Sequence, residues 1–136
     1  MKSDGGCHCG CITYEAEVDP EKTSICHCTD CQKLSGSAFR ASIPAPDHAF
    51  RFTAGEPTVY VKTAESGTKR AHGFCPECGT PIYATSVTDP QVYGLRVGTS
   101  RQRRELKPTR QTWCRSALDW VMNFESLPQS PKQSQR

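Results

Sequence analysis

Seven cysteines fall into three clusters whose spacing suits metal ligation: Cys7-His8-Cys9, Cys26-His27-Cys28-Thr29-Asp30-Cys31 and Cys75-Pro76-Glu77-Cys78-Gly79. The Cys-x-x-Cys-Gly element has the form of a zinc knuckle. Two intervening residues let both sulfurs reach one ion about 2.3 Å away, and the glycine frees the backbone for a tight turn. Cys-x-Cys supplies a second pair, because side chains two apart in an extended chain face the same way. Cys7, Cys9, Cys75 and Cys78 together make a closed four-thiolate set, and a closed set is structural. Such an ion ties the first predicted strand to a hairpin roughly 65 residues later, which suits a chain with little apolar material.

The middle cluster offers Cys26, Cys28 and Cys31 with no fourth partner nearby in sequence. Three protein ligands and one exchangeable position are the arrangement of a catalytic zinc. The alternative is a site closed from elsewhere by Cys11, Cys114, His27, His8 or Asp30. In an extended segment His27 points away from the ion of its neighbours. Cys11 shares a face with Cys7 and Cys9 and reads as a bystander, and Cys114 beside Trp113 reads as a small buried hydrophobe. An open zinc with three thiolates carries a net negative charge, so it is a poor activator of water and better suited to holding another thiolate near an electrophile. Lys33 and Arg40 are the cations placed to offset that charge, although an isolated Lys or Arg is by default a solvated one.

These ligands must be held by a chain poor in core-forming residues. Its 136 residues allow one domain, and Leu, Ile, Val and Phe total 21. The net charge is only +3, which argues against disorder. Nine cysteines are too sparse for a disulfide scaffold and odd in number. Met1–Gly6 lacks the apolar stretch of a secretory signal and no window is long enough to span a membrane, so the expected location is cytoplasmic, with thiols reduced. Strands are predicted at Cys11–Val18, Phe39–Ile43, His48–Phe52, Val59–Thr63, Lys69–Phe74, Pro81–Thr85 and Val92–Val97, separated by Gly and Pro turns. The fold class is mainly β, with a short helix at Thr29–Leu34 behind the second cysteine cluster and a short C-terminal helix from Ser116, whose Trp120, Val121, Phe124 and Leu127 form a packing face. One zinc-binding β domain over residues 1–128 and a disordered tail over 129–136 complete the expected organisation.

The motifs resemble the glutathione-dependent formaldehyde-activating enzymes, the family that also includes the centromere protein V domain. The likeness runs through Gly6-Cys7-His8-Cys9-Gly10, Ile12-Thr13-Tyr14-Glu15, Cys26 to Lys33 with Ser35-Gly36-Ser37, Phe74 to Ile82, Gly98-Thr99, Leu106-Lys107-Pro108, Trp113, Ala117 and Trp120. It implies a β-tent of small twisted sheets and two zinc ions per chain: a structural one on Cys7, Cys9, Cys75 and Cys78, and a catalytic, labile one on Cys26, Cys28 and Cys31. It also implies carbon–sulfur lyase chemistry, with glutathione as the thiol partner, formaldehyde as the carbonyl and S-hydroxymethylglutathione as the adduct. The chain departs from the pattern at Ser100-Arg101-Gln102-Arg103-Arg104, where acidic residues are common, and at Gln111, near which a histidine is frequent. These departures bear on the substrate rather than on the metal sites.

A rival reading is a non-catalytic zinc module that binds a protein or nucleic acid through its basic C-terminal third. Residues 101–136 hold 8 basic and 3 acidic side chains, yet a short basic run is more often a solvated turn, so nucleic acid is the weaker partner. Methionine sulfoxide reduction would need a redox cysteine outside the clusters, and only Cys11 and Cys114 are spare.

Overall fold

The computed structural model describes residues 1–133. Ten strands form two sheets. The smaller sheet has the order β1-β2-β5, with β1 Lys2–Gly6, β2 Thr13–Glu17 and β5 Phe50–Ala54. The larger has the order β10-β3-β4-β9-β8-β7-β6. Its strands are β3 Ser24–Cys26, β4 Arg40–Pro46, β6 Thr58–Thr63, β7 Lys69–Phe74, β8 Pro81–Ser86, β9 Val92–Arg96 and β10 Arg110–Thr112. All neighbours are antiparallel except β10 on β3. The α-helix α1, Thr29–Ser35, follows β3. The mainly-β expectation holds, with all seven predicted strands present.

Strand alternation divides the large sheet into two chemically different faces, since directly opposed residues share a face. On one face Ile43 pairs with Leu95 and Leu95 with Tyr83. These residues turn toward Tyr14, Ala16, Phe50 and Phe52 of the small sheet and form the core with Ile12, Ala45 and Ile82. The rings of Tyr14, Phe50, Phe52, Tyr83 and Tyr93 pack with centroids 4.9–6.4 Å apart. The opposite face carries Cys26, Arg40, Ser42, Arg96, Ala84, His72 and Tyr60, aligned by successive pairings across β3, β4, β9, β8, β7 and β6.

Three expectations need correction. No helix forms from Ser116: a 3-10 turn at Cys114–Ser116 is followed by turns. Of the expected packing face only Val121 is buried, while Trp120, Phe124 and Leu127 are 49–56% exposed. Without a surface to bury against, a segment of this length gains too little to nucleate a helix. Cys114 is exposed rather than buried: it opens a surface 3-10 turn, Cys114–Ser116, capped by Trp113 at φ 56°. Finally, Cys7 and Cys9 lie in a turn, not in extended chain. Residues 129–133 are exposed and have no regular structure, and the rest of the expected tail, 134–136, lies outside the described residues.

Candidate metal centres and active-site cleft

The first cluster is built from two hairpin turns, one from each sheet. Cys7 and Cys9 sit in the β1–β2 turn, closed by bonds from Cys7 N–H to the Ile12 carbonyl at 3.0 Å and from Gly10 N–H to the Cys7 carbonyl at 3.2 Å. Cys75 and Cys78 sit in the β7–β8 turn, where Gly79 at φ 78° brings its N–H to 2.8 Å from the Cys75 carbonyl. All four sulfurs lie within 4.8 Å of one another. Cys7–Cys9 and Cys9–Cys75 are 3.6 and 3.7 Å apart, close to the edge of about 3.8 Å of a tetrahedron with 2.3 Å metal–sulfur bonds. Backbone N–H groups of Ile12, Glu77 and Cys78 point at Cys7 and Cys75 sulfurs at 3.2–3.4 Å. Thr80, through its hydroxyl and backbone, pulls Cys78 down to about 5. The donor set therefore fits a soft divalent cation.

The second cluster joins β3 to α1. Cys28 is the N-cap of α1, its sulfur accepting the Cys31 N–H at 3.2 Å. The sulfurs of Cys26, Cys28 and Cys31 lie within 4.8 Å of one another, and no fourth Cys, His, Asp or Glu donor joins them among the described residues. Burial, together with the adjacent Cys26 and Cys28 thiols, pushes Cys31 up to about 12. Three thiolates at such distances need a cation.

Each residue considered as a closing ligand is engaged elsewhere or lies outside the trio. His27 is buried, with Nε2 2.7 Å from the Gln111 side-chain oxygen and its ring against Phe39. Asp30 pairs with Lys62 at 2.9 Å. Cys11 lies at the other cluster, 3.3 Å from the Cys75 sulfur and 4.0 Å from that of Cys7. His8 is exposed in the first turn, and Cys114 lies exposed beyond β10.

A cleft of about 370 Å³ is lined by Leu34, Arg40, Tyr60, His72, Tyr83 and Arg96, and at its other end by Gly79 and Pro81, which follow Cys78. Leu34 lies on α1, one turn beyond Cys31, and Arg40 pairs directly with Cys26. Arg96 is buried, donates from Nη1 to Ser42 Oγ at 2.7 Å, and places Nη2 3.5 Å from His72 Nδ1. Burial and the neighbouring Arg40 bring Arg96 down to about 9. Burial, then Arg40 and Arg96, bring His72 down to about 4.

The model of the glutathione-dependent formaldehyde-activating enzymes matches residues 2–116. The chain belongs to this family. A crystal structure of a Rhodobacter sphaeroides protein shares the fold, with a TM-score of 0.62 at 24% identity over 82% of this chain and 100% of that one. Within the family frame, two cysteine clusters able to hold metal ions stand where the sequence motifs put them. Lys33, one of the two cations expected to balance the charge, is exposed in the last turn of α1. Arg40, the second, reaches Cys31 electrostatically and lines the cleft. Sequence reasoning missed Arg96 and His72. The one available signal was a polar residue inside each of two strands, Val92–Val97 and Lys69–Phe74. Only the register places both beside Arg40.

Proposed function

We propose that this chain is a zinc-dependent, carbon–sulfur lyase-like enzyme acting on a thiol adduct of the S-hydroxymethylglutathione type. The observation that carries the reading is the trio of Cys26, Cys28 and Cys31, which lacks a fourth Cys, His, Asp or Glu donor among the described residues and whose neighbours Leu34 and Arg40 line a cleft. Membership in the formaldehyde-activating family supports it. Cys7, Cys9, Cys75 and Cys78 are assigned a structural ion, and the trio a catalytic one. A zinc ion bound by the trio would offer a substrate thiolate an open coordination position.

In the synthetic direction the substrate sulfur gives an electron pair to the aldehyde carbon. A carbon–sulfur bond forms, the carbonyl π pair moves to oxygen, and that oxygen takes a proton from solvent. The lyase direction reverses each move. The chain's own residues hold the trio in place through the Cys31 N–H bond and surround the thiolates with the positive charge of Arg40 and Arg96. Leu34, Tyr83 and Phe74 give the cleft apolar walls.

Zinc per chain, measured with and without glutathione, tests the reading. About two ions are expected, one of them lost or perturbed when the thiol is added. A single ion, or two that both ignore the thiol, overturns it.

A further inference from the structure

The outer face of the large sheet concentrates positive charge where the core has no use for it. Pairing across β4, β9, β7 and β6 places Arg40, Arg96, Arg70 and Lys62 on that face, with His72 among them. Asp30 is the acid that meets this group, and it is taken by Lys62 at 2.9 Å. Neither Arg40 nor Arg96 has an ion-pair partner among the described residues. Arg96 is only 9% exposed, and a buried guanidinium without a counter-ion is costly. Its Nε and the Nε2 of His72 are buried and make no hydrogen bond. Because a guanidinium only donates, His72 Nδ1 faces Arg96 as an acceptor, which leaves the His72 proton on Nε2. Arg40, Arg96 and His72 thus line one cleft, and no carboxylate pairs with either arginine among the described residues.

We propose that Arg40, backed by Arg96 and His72, forms a carboxylate seat in this cleft and selects acid-bearing thiols for the neighbouring cysteine trio. The inference rests on the proposed function for what happens at the sulfur and adds which substrates are admitted. Half-exposed Arg40 is the residue that touches the carboxylate, with a fork of donors that fits it two-pronged. Arg96 is a positioning residue: Ser42 and His72 fix its guanidinium, and its charge makes the cleft floor positive. The rival explanation is that both arginines merely balance the trio's thiolate charge. It differs in one respect, since it gives no preference for a ligand that lacks a thiol.

S-methylglutathione keeps both carboxylates and has no free thiol, and its dimethyl ester has neither the thiol nor the carboxylate charge. Titration calorimetry of the zinc-loaded full chain with both ligands should show the acid binding about tenfold tighter than the ester or better. Arg40→Gln should collapse that preference with zinc per chain unchanged, and Arg40→Lys should restore part of it. Equal binding of acid and ester by the unmodified chain overturns the seat, and so does a preference undiminished in R40Q. The comparison on the unmodified chain decides alone should R40Q not fold. Failure of a free thiol to perturb the metal would instead overturn the proposed function, so the two fail separately.

Discussion

At the scale of the residue, the cysteine clusters were legible because their capacity for metal is written in local spacing. Two residues between thiols and a following glycine define a knuckle whatever the rest of the chain does. Arg96 and His72 were not legible, because what matters is their proximity to Arg40, which depends on how β4, β9, β8 and β7 align. Their environment makes a testable statement about His72. Burial, reinforced by Arg40 and Arg96, lowers its imidazole from about 6.5 to about 4. The unfolded chain therefore takes up this proton first, and the contribution of His72 to stability, intact above about pH 6.5, is lost as pH falls toward 4. Imidazole nitrogen shifts in the folded protein should show His72 neutral, with its proton on Nε2, down to pH 5. A midpoint near 6.5 would mean that His72 is neither buried nor faced by the two arginines as described.

At the scale of the element, seven strands declared themselves by alternation and turn residues, and three did not. β3 and β10 have three residues each, too few for a period to show. β1, Lys-Ser-Asp-Gly-Gly, contradicts strand propensity and is held by tertiary bonds. Ser3 Oγ meets Ser100 Oγ at 2.8 Å, Gln102 Oε1 accepts the Asp4 N–H at 2.9 Å, and Gln102 Nε2 donates to Asp4 at 2.7 Å. The basic run that suggested a nucleic-acid surface is thus partly a docking loop for β1. Gly5 permits the approach: a Cβ there would lie 2.0 Å from the Thr99 carbonyl oxygen, with both sides backbone. Gly5→Ala should lower stability by about 1–3 kcal/mol, the usual cost of overpacking. Denaturant midpoints on metal-loaded protein measure it, and a change under about 0.5 kcal/mol would place β1 further from this loop than described.

At the scale of the whole molecule, the two cysteine clusters differ in what they connect. Cys7, Cys9, Cys75 and Cys78 come from hairpin turns of different sheets, so an ion there fastens the sheets over a core built from a modest set of aliphatic and aromatic side chains. Cys26, Cys28 and Cys31 come from one strand end and the helix that follows, a local connection that the chain already makes covalently. Removing one ligand from each set should therefore have unequal consequences. Cys28→Ser keeps a good N-cap for α1, since a serine hydroxyl can accept the Cys31 N–H that the sulfur accepts now. It should lose thiol-dependent activity and the labile ion while melting within a few degrees of the parent. Cys75→Ser places a hydroxyl at a fully buried position, replaces the thiolate that faces the Glu77 and Cys78 amides with a poorer metal donor, and opens the clip. Because binding at a site absent from the unfolded chain is itself folding free energy, this variant should melt more than about 10 °C lower or fail to fold. Circular dichroism melts with zinc determination on both variants decide the matter. Equal loss of fold in the two would mean that the trio is also a structural clamp, and the division of labour between the clusters would fall with it.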